Sequence, residues 1–180
     1  MTLPAEYAWL VTYTADGHPK MVVEALKLFG IHEGPADADN PTILAWAQEL
    51  GLAGVYRHDS TPWCGLFMAL VATRAGYGRP AAPLWALNWS TWQNAVGVSN
   101  AEFGDVLVFV RPGGGHVGIY IGEDSSCFHV LGGNEGDQVE IARIPKFRAK
   151  YAQRPLYTLK PRQVKQIRLA PAGGISSNES

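Results

Sequence analysis

With 180 residues, 47% of them apolar and only 17% charged, the chain carries enough apolar mass for one buried core and is too apolar to stay disordered. A formal net charge of -1 gives no electrostatic footprint for nucleic acid or an anionic membrane surface. No apolar run reaches the roughly 18 residues of a membrane span. Met1-Thr2-Leu3-Pro4-Ala5-Glu6 lacks the basic start and apolar stretch of a Sec signal, so synthesis in the cytoplasm without Sec export is expected.

The first 19 residues are ambiguous, because Tyr7 to Tyr13 suits a short strand or part of a helix. Pro19 then opens a stretch with Val22, Ala25, Leu26 and Phe29 at helical spacing, stopped by Gly30. After the loop from Glu33 to Asp39, Asn40 is an N-cap and Pro41 a first helical residue for a helix ending at Gly51. A polar loop from Tyr56 to Ser60 leads to the next helix, with Thr61 as cap, Pro62 in the first position and Cys64 in the first turn. From Trp63 to Ala72 this helix is apolar on nearly every side, which predicts a central, buried element. Pro80 to Asn94, with Trp85, Trp89 and Trp92, reads as a short helix or an ordered loop.

From Gly104 the period changes to two. Val106 to Val110, His116 to Ile121 and Cys127 to Leu131 are predicted strands, with Val139 to Ala142 and Leu156 to Leu159 as further candidates. Helices first and closely linked strands second predict an α+β fold with an antiparallel sheet. Residues 1–160 form one expected domain, and 161–180 an expected flexible tail.

Two residues carry the chemistry. A thiol at a helix start lies at the positive end of the peptide dipoles, among backbone N–H groups with no helical acceptor, so Cys64 is the candidate nucleophile. His116 follows three glycines at the mouth of a strand and can take the thiol's proton and return it to a leaving amine. His58 and His129 are alternative bases. Cys127, in an alternating strand, reads as a buried structural residue. The third role, orienting the imidazole, falls to the loop Gly132-Gly133-Asn134-Glu135-Gly136, which antiparallel pairing brings beside His116. Asn134 is the first choice for it and Glu135 the second; Asp59 and Ser60 either reach the site or steady the helix start.

Thr61-Pro62-Trp63-Cys64, Gly104-Asp105-Val106-Leu107-Val108-Phe109, Gly115-His116-Val117-Gly118 and Leu131-Gly132-Gly133-Asn134, in this order, resemble the NlpC/P60 and CHAP superfamily of papain-like cysteine peptidases and amidases. The likeness is greatest to a group of CHAP-like proteins of bacteria and their phages, and it covers about residues 20–158. It implies a papain-like fold with Cys64 as nucleophile, His116 as base and a polar third residue, placed at Asn134, with no cofactor and no metal. Many CHAP members carry a glutamate two residues before that asparagine, a position held here by Gly132. The implied activity is cleavage of peptidoglycan, at the muramoyl–L-alanine amide or within the stem or bridge peptide. The implied setting is a phage endolysin released by a holin, or an antibacterial effector with secretion machinery and an immunity protein as partners.

Three other readings compete. A zinc amidase would draw ligands from His58, His116, His129 or Cys64, without an HExxH spacing to support it. A non-catalytic wall-binding module would use the tryptophans to stack on sugars, though core packing explains these equally well. An acyltransferase would pass the thioester to an amine instead of water.

Overall fold

A computed structural model describes residues 2–35, 38–111, 113–171 and 173–176. Helices α1 (Trp9–Tyr13), α2 (Lys20–Leu26), α3 (Pro41–Glu49) and α4 (Cys64–Arg74) precede a six-stranded sheet. Its strands are β1 (Asn94–Val96), β2 (Val106–Arg111), β3 (Gly114–Glu123), β4 (Cys127–Glu135), β5 (Gln138–Pro145) and β6 (Ala149–Arg154), in the spatial order β1-β6-β2-β3-β4-β5. Every ladder is antiparallel, so the fold is α+β. Among the described residues no helix is long and apolar enough to cross a membrane.

Local signals account for most of the helices. The Asn40 side chain accepts from the Thr42 amide at 2.8 Å, with Pro41 in the first turn, as expected of a capped start. The helix expected from Pro19 to Phe29 regularises only over Lys20–Leu26 and tightens into single turns before Gly30, whose φ is +83°. The cysteine helix begins later than its sequence suggests. Cys64 is its first residue and Trp63 its cap, because the Trp63 amide is engaged by Asn134 rather than by a Thr61 side chain.

Helix α4 is the centre of the molecule. Cys64 to Ala72 are all buried, and the helix packs on β3 and β4 on one side and on α2 and α3 on the other. Leu66, Phe67, Met68, Leu70 and Val71 have no exposed surface, each worth about 1.5–3 kcal/mol of apolar burial. Val117, Ile119 and Ile121 of β3 share this core. A second apolar cluster, including Leu107, Phe109, Tyr120, Phe128 and Val130, is built on the sheet.

The C-terminal part departs from expectation in two ways. The strand expected at Leu156–Leu159 forms instead at Ala149–Arg154, where Ala149 and Ala152 fit the second cluster while Leu156 and Leu159 stay exposed. The expected flexible tail is docked where it is described. Phe103 N donates to Lys165 O, Glu123 N to Ile167 O and Leu169 N to Glu123 O, while Val164 and Gln163 are buried. Backbone pairing to the β3 end therefore outweighs the polar composition of this segment; residues 172 and 177–180 of the expected tail lie outside the described residues.

Candidate active site

The sheet brings His116, near the start of β3, toward the end of β4, and α4 points its first turn at the same place. Cys64 is 5% exposed, Glu135 1% and His116 not at all. Glu135 Oε1 lies 2.6 Å from His116 Nε2. The Cys64 side chain also favours the protonated ring, although neither ring nitrogen has a hydrogen-bond partner among the described residues. The Glu135 contact is an ion pair by distance without the alignment of a good hydrogen bond, which is common in catalytic sites before substrate draws the groups together. The Phe109 ring lies beside the imidazole, with centroids 6.1 Å apart.

These neighbours decide the charge of His116. Burial opposes a charged imidazole, but the Glu135 charge, with Cys64 as a lesser neighbour, outweighs it and holds the ring well above the ordinary histidine range. The imidazolium is therefore the favoured form at neutral pH.

Glu135 reaches the ring because β4 is irregular at its end. The register with β5 shifts between Gly132 and Glu135, and Asn134 within the shift has φ +61°. Gly132 leaves the room: a Cβ there would sit 2.8 Å from Glu135 Oε1 and 3.2 Å from His116 Nε2. Gly133 allows the strand to touch the helix, since its Cβ would meet Phe67 Cβ and Trp63 Cζ3 at 2.6 Å.

The place beside the ring expected for Asn134 is thus held by Glu135. Asn134 is in the same cluster but faces the helix, its Oδ1 accepting from Trp63 N at 2.8 Å. Glu33 takes the other donor of that residue, with Trp63 Nε1 donating to its Oε1 at 2.7 Å. The residue capping the cysteine helix is fixed through both backbone and indole, from two directions. Neither the loop position of Glu33 nor its spacing carries a signal for this role in the sequence.

The remaining candidates lie elsewhere. His58 is exposed and pairs with Asp39 at 3.1 Å. Asp59 Oδ2 accepts from Gly34 N and Asn40 N, both at 2.7 Å, and so closes the loop before α3. Cys127 is buried, and both cysteines are free thiols. His129 belongs to a separate buried network. Its Nδ1 lies 2.6 Å from the Tyr7 hydroxyl and its Nε2 3.1 Å from Asp124 Oδ2. These partners assign a ring that donates from Nε2 and accepts at Nδ1. Burial pushes its pKa down despite the Asp124 charge. Asp124 also takes Arg143 Nε at 2.9 Å and the amides of Ser126 and Cys127. Among the described residues no group of three His, Cys, Asp or Glu is arranged to hold a metal ion.

Of the three tryptophans from 85 to 92, Trp89 and Trp92 are buried in the core and Trp85 is exposed. Comparison with protein-family models and with curated proteins finds no match to this chain.

Proposed function

We propose that the protein is a cysteine hydrolase of the papain-like NlpC/P60–CHAP architecture, cleaving an amide bond of peptidoglycan as a phage lysin or antibacterial effector. The observation that carries the chemistry is Cys64 at the start of an 11-residue helix beside a buried His116 whose Nε2 is paired with Glu135. The peptidoglycan substrate rests on the resemblance of the motifs around those residues.

In this mechanism the Cys64 sulfur attacks the amide carbonyl as a thiolate, its proton held by His116. Free amides of the first turn of α4 face the developing oxyanion. As the C–N bond breaks, His116 gives its proton to the leaving amine, and the acyl group stays on sulfur as a thioester. Water then attacks the thioester with His116 as base, releasing the acid and restoring the thiol. Glu135 orients the ring and stabilises its positive charge throughout, as an acid residue does in the wider class of triads.

Digestion of purified sacculi, with fragments identified by mass spectrometry, tests this reading. Cys64-dependent release of wall fragments is the expected result. Equal digestion by wild type and Cys64→Ala, or none by either, overturns it.

A further inference from the structure

A second cavity, of about 430 Å3, has none of Cys64, His116 and Glu135 in its lining. It lies between the chain that follows α4, which contributes Arg79 and Pro80, and the chain that enters β1, which contributes Asn88, Trp92 and Gln93. Three contacts hold these side chains in place. Arg79 Nη2 donates to the Leu50 carbonyl at 2.8 Å, Asn88 Nδ2 to the Ala82 carbonyl at 2.8 Å and Trp92 Nε1 to the Gly78 carbonyl at 2.6 Å.

Two buried polar atoms of this lining have no hydrogen-bond partner among the described residues: Arg79 Nη1, a donor, and Gln93 Oε1, an acceptor. Taking part of a guanidinium out of water is costly unless an acceptor or a counter-charge faces it. Among the described residues the one hydrogen-bonding partner of the Arg79 side chain is the neutral Leu50 carbonyl, and no acidic residue lines the cavity. Gln93 also has a φ of +48°, a left-handed conformation that residues other than glycine seldom take. An uncompensated cation, an orphaned acceptor and a rare backbone angle at one cavity mark a place shaped for a ligand rather than for packing.

We infer that this cavity binds an N-acyl amino acid by its carboxylate, the group shared by a free N-acylated amino acid and the C-terminal residue of a peptide. The carboxylate accepts from Arg79 Nη1 and supplies the counter-charge. The adjacent N–H donates to Gln93 Oε1. Asn88 Nδ2 has a second hydrogen beyond the one given to Ala82, and it serves the acyl carbonyl. Pro80 and Trp92 lie against the carbon atoms. An inorganic anion would meet Arg79 but bring no acyl group, and a neutral amide or sugar would leave the guanidinium unpaired.

The inference rests on nothing in the hydrolase reading, and binding alone tests it. Isotope-labelled wild-type protein is titrated with N-acetylglycine, N-acetylglycinamide and acetate. NMR follows the side-chain signals of Arg79, Gln93 and Asn88, and calorimetry gives the affinities. N-acetylglycine should shift all three signals and bind about tenfold or more tighter than the other two, which lack the charge and the N–H respectively. Arg79→Gln should lose at least about tenfold in affinity. Gln93→Glu keeps the Leu50 contact but places the chain's own carboxylate in the cavity, so it should abolish binding even where loss of Arg79 loosens the fold. Acetyl-trialanine separates the two sources: binding at least as tight as that of N-acetylglycine assigns a peptide chain end, and weaker or no binding a free N-acyl amino acid. Equal affinity for N-acetylglycine and its amide, shifts outside this cavity only, or affinity kept in both variants overturns the inference. So does strong coupling between Arg79→Gln and Gln93→Ala in denaturant titration without any probe, because the two side chains would then be partnering each other.

Discussion

Asn134 and Glu135 are neighbours in the chain and serve opposite halves of the site. Asn134 holds the Trp63 amide at 2.8 Å and so fixes the start of the cysteine helix, while Glu135 stands 2.6 Å from His116 Nε2. One irregular step at the end of β4 thus sets Cys64 and His116 relative to each other.

The thiols separate cleanly. Cys64→Ala and Cys64→Ser should both reduce wall cleavage to background with the melting curve little changed, because the proposed attack needs sulfur, a far better nucleophile than a serine hydroxyl. Cys127→Ala should keep most of the activity, measured by turbidity loss of a sacculus suspension. Activity lost with Cys127 and kept without Cys64 would reverse the assignment. His116→Ala should cost a factor on the order of 10² or more in the same assay.

Glu135→Gln removes the charge that holds the His116 proton. Since the folded pKa of His116 is raised, the ring stays protonated through neutral pH and the ion-paired form is lost only as pH rises through that higher value. Wild-type kcat should therefore fall on the alkaline side, above the usual histidine range. In Glu135→Gln that limb should move to lower pH, and kcat should drop at least about tenfold. An unmoved alkaline limb would mean that another group controls the ring.

Gly132→Ala tests the same pair without touching either member. The added methyl would lie 2.8 Å from Glu135 Oε1 and 3.2 Å from His116 Nε2, so the carboxylate has to leave the ring. The expected pH profile approaches that of Glu135→Gln, with kcat affected more than KM. A normal profile in this variant would show that the acid can reach the ring by another path.

Asn134→Ala strands the Trp63 amide in a buried place and puts an alanine at φ +61°. Together these should lower stability by about 2–4 kcal/mol in denaturant titration. Asn134→Asp retains the acceptor and should recover part of that loss. If both variants lose the same amount, the amide bond is not what the residue supplies.

The acid limb of stability should depend on Asp124. Burial raises its pKa, but the Ser126 and Cys127 amides, Arg143 and His129 together pull it far below the ordinary carboxylate range. Its contribution is complete above the unfolded value, near 4, and is lost as pH falls through the folded one. Asp124→Asn should lower the melting temperature at pH 7 and flatten the acid denaturation curve. A variant whose acid transition matches wild type would rule this out.

What the sequence revealed and what it hid follow one physical division. Cys64, His116, the Asn40 cap and the buried character of α4 rest on local pattern, and the chain reads them directly. Choosing between Asn134 and Glu135 required knowing how β4 ends. A register shift across two glycines and a residue at positive φ changes which side chain meets the ring, and no period-two count contains that shift. The docking of residues 163–169 is a tertiary effect, invisible in a polar segment because its hydrogen bonds are backbone to backbone.

The Asp124 network also bears on how the molecule comes apart. Through His129 it holds Tyr7 near one end of the described chain, and through Arg143 it holds the Gly173 carbonyl near the other, at 3.0 Å. Neither flank can peel away while the network holds, because each is anchored to the same pair of adjacent strands, β4 and the edge strand β5. Native-state hydrogen exchange should therefore give the amides of Tyr7, Leu169 and Ser176 opening free energies that rise and fall together. In Asp124→Asn the two flanks should fray first and independently, turning one cooperative unit into a core with two loose ends.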